Sequence, residues 1–516
     1  MEPCATNNVG CWPRRHAEVA GERLALRDAE RALPWRSLDE RCERLVRVLA
    51  AAGIGRGDRV ALVLGNRTVY LEAVFAAARL GAISVPLNAR LAPPELARLF
   101  DDCRPAALLL DEAHAPRALQ ACAEAHSAPP FRLVAGGVPD AYERALAGAA
   151  RDATIAAVSP DDPMMILYTS GTTGVPKGAV LPHRKTLFNA LNAVQFFGLG
   201  RGDRVLVPLP LFHSFGLVIL ALPALYAGAT VHLEPRFDPA SVWQRVDELA
   251  ITFFGAVPTM FQALLDELHR RGAERPDLSS LRFLFSAGAA IPVELIRAYE
   301  REGLLVKQGF GQTETSILCA LDAADALRKA GSVGRPVFHA EIRLVDPATL
   351  DGPVAGWRDV APGDTGEIVV RGPITMLGYW ERPDATAETL RDGWVRTGDL
   401  AQRDAEGFYT LVGRARDLFI SGGENVYPAE VEATYAAHPD LREIAVVGVP
   451  DAHWGEVGRA YVVLAPGRRL DTDALRAWGR ARLAVFKVPA SFVALPSLPR
   501  TVTGKVQKHR LGESGP

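Results

Sequence analysis

Cysteine, net charge and long apolar runs are all scarce in this chain of 516 residues. The six cysteines (Cys4, Cys11, Cys42, Cys103, Cys122, Cys319) are dispersed and form no C-x-x-C pair. That argues against a disulfide framework or a zinc site and leaves buried or idle thiols as the expectation. Lys and Arg total 58 against 60 Asp and Glu, a formal net charge of −2. A general nucleic-acid binder carries a basic surplus, so nucleic acid is not an expected partner. The longest apolar stretch, 215–229, is interrupted by Pro223. It falls short of the ~18–20 residues that a membrane span needs. The opening residues, MEPCATNNVGCWPRRH, hold no apolar core of the kind a secretory signal needs. These absences predict a cytosolic protein without integral membrane contact.

What is present is ordinary globular material, 48% hydrophobic and 23% charged, which excludes disordered and collagen-like architectures for most of the length. One hydrophobic core stops growing at roughly 250–300 residues, so two or more domains are expected. Residues 38–52 read as an amphipathic helix, ended by the turn GIGRGD at 53–58. A short apolar strand follows at 59–64, then a helix at 70–80 and a second strand at 83–86. This alternation is the signature of βαβ units and a parallel sheet. It recurs. Residues 198–209 read GLGRGDRVLVPL against GIGRGDRVALVL at 53–64, and Gly228-Ala229-Thr230-Val231 matches Gly81-Ala82-Ile83-Ser84. We read two related α/β halves within one large region. Further strands are expected at 131–134, 164–168, 252–256 and 281–285. From about Gly363 short β runs (366–370, 408–412) broken by turns suggest a small β subdomain. Beyond Arg416 a compact α+β tail is expected, with strands at 443–447 and 460–464.

A loop dense in small hydroxyl and glycine residues follows the strand at 164–168. Thr169, Ser170, Gly171, Thr172, Thr173, Gly174, Val175, Pro176, Lys177 and Gly178 leave backbone N–H groups free to surround phosphate oxygens, and Lys177 adds charge. The P-loop of NTPases does not fit. Pro176 stands where its second glycine belongs, and Gly178 where Ser or Thr must meet magnesium.

This loop resembles the phosphate loop of the adenylate-forming superfamily, which contains acyl-CoA synthetases, peptide-synthetase adenylation domains and luciferases. Other segments resemble its remaining motifs in order. Leu209-Pro-Leu-Phe-His213 is similar to the histidine motif, and Gln308-Gly-Phe-Gly-Gln-Thr-Glu314 to the aromatic-Gly-x-Thr-Glu motif. Arg396-Thr-Gly-Asp399 is similar to the ribose-binding turn, Gly413-Arg414-Ala-Arg416-Asp417 to the hinge, and Pro499-Arg-Thr-Val-Thr-Gly-Lys505 to the terminal lysine loop. The resemblance implies an N-terminal domain at 1–413, a hinge at 414–416 and a mobile C-terminal domain at 417–516. It implies catalytic roles for Lys505, Glu314 and His213. ATP would be held by the phosphate loop with Gly288, Ala289, Phe310, Gly311, Thr313, Asp399 and Arg414. Glu314 would meet Mg²⁺, Arg416 would be the hinge residue, where relatives carry Asp or Lys, and Gly422 and Gly423 would line a thiol tunnel.

The implied reaction joins a carboxylic acid to ATP as an acyl-AMP, releases pyrophosphate, and passes the acyl group to the thiol of CoA. The acid pocket is expected at His213, Phe215, Ala287, Gly309 and Ile317. The segments around it hold no Lys or Arg, which disfavours a dicarboxylate. Small residues at Ala287, Gly288, Gly309 and Gly311 suggest room for something long or flat, a fatty or an aryl acid, with a slight lean to the fatty acid. No carrier-protein segment follows the tail, so CoA is the expected acceptor. The alternatives are a ligase loading a separate carrier protein and, from another class, a non-catalytic ATP-binding protein, which retention of Glu314, Lys505 and Asp399 opposes. The sequence leaves a homodimer open.

Overall fold

The computed structural model describes residues 8–138, 140–149, 156–169, 176–272, 274–421, 424–451, 453–501 and 504–512. Each G-x-G-R-G-D turn does the same thing in its own half. Asp58 accepts the N–H of Gly55 at 2.9 Å, and Asp203 accepts that of Gly200 at 2.9 Å. Each turn then enters a buried strand, Arg59–Val63 or Arg204–Val207. On one side that strand pairs in parallel with Ile83–Pro86 or Thr230–Leu233. On the other it pairs with Ala107–Asp111 or Phe253–Ala256, and beyond these lie Phe131–Ala135 and Phe283–Ser286. Even the register repeats: Val60 faces Ala107 as Val205 faces Phe253. The two halves are thus two copies of one four-strand order, as the repeated turn predicts.

Additional strands widen each copy. The first becomes a seven-stranded sheet, extended by Pro163–Thr169, Lys177–Pro182 and Gly378–Tyr379. The second becomes a nine-stranded sheet, extended by Val306–Gln312, Ser316–Ala320 and Arg335–Pro336 at one side and by Leu24–Arg27 and Ala32–Pro34 at the other. The helix Thr68–Arg79 is buried over its whole length. A helix apolar nearly all round belongs in a core. Its one carboxylate, Glu72, is compensated by Arg41 at 2.8 Å and the Tyr142 hydroxyl at 2.6 Å.

The β subdomain begins earlier than expected. Glu341–Val345 pairs with Gly366–Arg371, which pairs with Trp394–Arg403, and Tyr409–Arg414 closes the sheet. Charged Glu341 and Arg343 on a half-exposed strand hid its start from an apolar reading. The next strand, Phe419–Ser421, belongs to a different sheet, with Glu424–Val426, Leu441–Asp451, Gly455–Leu464 and Ser491–Ala494. That sheet packs on its own core of Phe419, Val431, Tyr435, Val446 and Val462. Cys42, Cys103, Cys122 and Cys319 are buried free thiols. Cys11 departs from the expected idle thiols, being disulfide-bonded. Among the described residues no helix is long and apolar enough to cross a membrane.

Candidate active site

Strands of both copies end at one cleft of about 580 Å³. Its walls are the turns that follow them: 64–66 after Arg59–Val63, 208–213 after Arg204–Val207, 235–237 after Thr230–Leu233 and 257–260 after Phe253–Ala256. A crevice beyond the carboxyl ends of parallel strands is the usual ligand site of open α/β sheets. The C-terminal sheet's domain contributes the loop 500–505. Arg500 and Val506 bridge, the Thr501 N–H donates to the Lys505 carbonyl at 2.7 Å, and the Gly504 N–H donates to Thr501 at 2.9 Å. Gly504 has φ +84°, and a Cβ there would lie 3.4 Å from the Thr259 hydroxyl. The loop is therefore seated on the cleft wall, and Lys505 lines the cleft.

His213 lines it too. Its Nδ1 accepts the Phe215 N–H at 3.2 Å. That assigns the proton to Nε2 in the neutral ring. Burial pushes the imidazole pKa down to about 4, and the nearby Lys505 ammonium adds to the effect. His213 is thus a neutral donor. Phe215 begins a π-type turn, Phe215–Ala221, a distortion common at functional sites. Its ring packs edge-on to Phe285, centroids 5.7 Å apart.

Lys505 draws the remaining motifs together. Desolvation, then the Arg414 guanidinium, lower its pKa, while Asp399 and Glu314 raise it. Asp399 and Arg414 face each other on paired strands, with Arg414 Nε 2.5 Å from Asp399 Oδ1. The other Asp399 oxygen accepts from Gln312 Nε2. Burial raises the pKa of Asp399, and Arg414 and Lys505 oppose the rise.

Gln312 ends the strand Val306–Gln312, and Thr313, Glu314 and Thr315 form the tip joining it to Ser316–Ala320. At that tip Glu314 Oε1 accepts the Tyr379 hydroxyl at 2.9 Å, and the Glu314 carbonyl accepts the Met376 N–H at 2.8 Å. Thr313 donates to the Ser214 hydroxyl at 3.2 Å. Lys177 lies over the Tyr379 ring, 5.3 Å from its centroid. Thr169 faces Lys177 where the antiparallel strands Pro163–Thr169 and Lys177–Pro182 flank the phosphate-loop segment. Ser170, Gly171, Thr172, Thr173 and Gly174 lie outside the described residues, as do Gly422 and Gly423.

The acid-pocket residues divide. Gly288 lines the cleft at φ +86°, 4.0 Å from the Phe215 ring if given a Cβ. Ala287 beside it is part-buried, and Ala289 is exposed. Gly309 does not open space for a ligand: a Cβ there would meet Phe285 at 2.7 Å. Gly311 is filled in the same way, by the Ser316 carbonyl at 2.0 Å. Ile317 is buried and Phe310 is at the fringe of the main core. Arg416 is half-exposed, 3.5 Å from Asp417. Gln312, Tyr379 and Lys185 reach this site without being singled out in the sequence. Gln312 lay inside a quoted motif, whereas a two-residue strand and a helix lysine give no local signal.

Among the described residues no cluster of three or more His, Cys, Asp or Glu could hold a metal by itself. Glu314 Oε2 makes no hydrogen bond among them. One carboxylate oxygen so placed fits Mg²⁺, which keeps waters and takes its other ligands from substrate phosphates.

Residues 13–380 match the family described as AMP-binding enzyme, and residues 430–505 the family described as AMP-binding enzyme C-terminal domain. The chain is 42% identical over 501 residues to a feruloyl-CoA synthase of Amycolatopsis sp, covering 97% of each. It is 40% identical over 505 residues to an indoleacetate–CoA ligase of Aromatoleum aromaticum, covering 96% of each. Among solved structures, o-succinylbenzoate CoA synthetase of Bacillus subtilis, in complex with its acyl-adenylate intermediate, superposes with TM-score 0.86 at 32% identity, covering 98% of each chain.

Proposed function

The chain belongs to the AMP-binding enzyme family, in its acyl-CoA synthetase branch, and we propose that it activates a flat, aryl-type carboxylic acid as its CoA thioester. The reaction class is that of an AMP-forming acid–thiol ligase. A carboxylate is a poor acyl donor because its oxygen will not leave. Attack of that oxygen on the α-phosphorus of ATP breaks the bond to pyrophosphate and makes a mixed anhydride. The thiol sulfur of CoA then attacks the acyl carbon, AMP leaves with the bonding pair, and the thiol proton passes to solvent.

The observation that carries this reading is the meeting of Lys505 with His213 in one cleft, beside the Asp399–Arg414–Gln312 cluster. The His213 Nε2–H is the donor for the acid's carboxylate. The Lys505 ammonium offsets charge on that carboxylate and on the α-phosphate. Arg414 and Gln312 hold Asp399 where ribose hydroxyls can donate to it. Thr169 and Lys177 flank the loop that takes the phosphates, and Glu314 would hold Mg²⁺, which when bound would neutralise phosphate charge. The residues 414–416 are the hinge between the domains, which is supported by the change of sheet between Arg414 and Phe419.

Packing around the pocket supports a flat acid over a long one. Phe285 occupies the space beside Gly309, and Phe196, Phe197, Phe253 and Phe283 stack behind it. Phe285 closes that side of the pocket, which favours a ring lying against Phe215 over a long chain running past Gly309. The names of the relatives at 42% and 40% identity, both aryl-type acids, support the same choice. The test is pyrophosphate release across hydroxycinnamates, indole acids and fatty acids, with and without CoA and with product mass measured. Long-chain fatty acids turning over faster than every aryl acid would defeat the proposal.

A second measurement addresses the metal. Glu314→Gln keeps shape and loses charge, so it should move the Mg²⁺ dependence of pyrophosphate release to higher concentration by roughly tenfold or more. An unchanged magnesium curve would contradict the role.

A further inference from the structure

One buried group beside the site has no part in this chemistry. Lys185 is the third residue of the helix His183–Phe197, and it is wholly buried. Its Nζ bonds the Ser316 hydroxyl. Ser316 opens the return strand just after the Thr313–Glu314–Thr315 tip. It has φ +62°, a left-handed conformation that a residue with a side chain rarely adopts. Hairpins with three-residue loops usually place glycine at such a position. The Ser316 carbonyl also packs against Gly311, where any added Cβ would collide with it.

A second anchor comes from the next turn of the same helix. Asn189 accepts the Ile317 N–H at 3.3 Å and donates to the Val218 carbonyl at 2.7 Å. Positions four apart share a helix face, so Lys185 and Asn189 grip consecutive residues of the return strand. On its other side the tip is held through Met376 and Tyr379. Their segment pairs with Lys177–Pro182 at Gly378 and Tyr379. That strand runs straight into the helix carrying Lys185. The Glu314 tip is therefore clamped from two sides, and both clamps connect to the phosphate-loop hairpin, one through the helix that follows it and one through the strand paired with it.

We propose that Lys185 is a positioning residue of the adenylation half-reaction: by pinning Ser316 in its left-handed turn, it sets the Glu314 tip against the phosphate-loop hairpin. The inference rests on Glu314 being the carboxylate that meets Mg·ATP. Lys185 touches no substrate. The pin needs no particular protonation state, since an amine or an ammonium can bond a hydroxyl.

The experiment uses the full chain and assays the half-reactions separately. Ser316→Ala removes the hydroxyl and leaves an equally strained left-handed residue without its pin. Lys185→Met keeps the length of the side chain and removes its nitrogen. Each should raise KM for Mg·ATP and move the magnesium curve, lowering adenylation kcat/KM by roughly ten- to a hundredfold. Thioester formation from supplied acyl-AMP should be unaffected. Adding Ser316→Gly to Lys185→Met should restore much of the loss, because glycine holds the turn without a pin. Equal loss in both half-reactions, tracking a lowered unfolding midpoint, would reduce Lys185 to a packing residue and overturn the proposal. A wild-type KM for Ser316→Ala would overturn it even if Lys185→Met fails to fold. Glu314→Gln separates the two ideas. If it shifts the magnesium curve and Ser316→Ala does not, only the positioning proposal falls. If it leaves the curve unchanged, the reading of Glu314 falls first.

Discussion

Lys505→Ala should divide the reaction in two. Adenylation should fall by roughly 10²–10³, the scale of losing one preorganised charge stabiliser. Thioester formation from supplied acyl-AMP should remain near normal. The reason lies in where Lys505 comes from. Every other group proposed for adenylation lies outside the C-terminal domain, whereas Lys505 lines the cleft from that domain. On the proposed reading that domain turns away to admit the thiol, and the ammonium would leave with it. The cleft also holds this charge at a cost, since burial and Arg414 both oppose it. The measurement is pyrophosphate release in one arm and CoA-dependent consumption of acyl-AMP in the other. An equal loss in both would sink the assignment.

Arg416→Pro should do the reverse. The link between the strands Tyr409–Arg414 and Phe419–Ser421 is one short 3₁₀ turn, Ala415–Asp417. A hinge absorbs large φ/ψ changes at a few residues. Proline fixes φ near roughly −65°, a value the 3₁₀ turn already uses. It also disfavours the helical backbone of the residue before it, here Ala415. Adenylation should therefore fall several-fold, with strain on the order of 1 kcal/mol. Thioester formation should fall much further, and acyl-AMP should accumulate. Quench-flow measurement of bound acyl-AMP checks this. Rapid consumption by CoA in the proline variant would place the hinge elsewhere.

Much of the architecture was legible because it is written locally. The paired G-x-G-R-G-D turns signal their strands through an aspartate three residues from the N–H it caps, and a short window contains the whole device. The motifs around His213, Glu314, Asp399 and Lys505 carry small residues at fixed spacing; in the fold His213 and Lys505 line one cleft, and Asp399 and Glu314 act on Lys505 from beside it. What stayed hidden depends on distant packing. Gly309 reads as empty space until Phe285 is placed beside it. Tyr379 sits on a two-residue strand, too short to show a period, yet it bonds Glu314. Lys185 reads as one more helix charge, and only the tertiary fold shows that it is buried against a strained serine. The start of the β subdomain at Glu341 was obscured because its partly exposed strand alternates charge with apolar residues.

The repeated half has one consequence for the cleft itself. Asn66 follows the first copy of the strand and Leu211 follows the second, 145 residues apart. That is the same offset that separates the two G-x-G-R-G-D turns. Asn66 Oδ1 accepts the Leu211 N–H at 2.9 Å, and Asn66 Nδ2 donates to the Leu209 carbonyl at 2.9 Å. A position bonded to its own counterpart puts equivalent turns of the two copies in direct contact. The cleft therefore opens where the two copies meet, with turns of both on its walls. One copy supplies the histidine loop and the other supplies the amide that braces it, so different side chains give the two halves of a repeated frame different tasks.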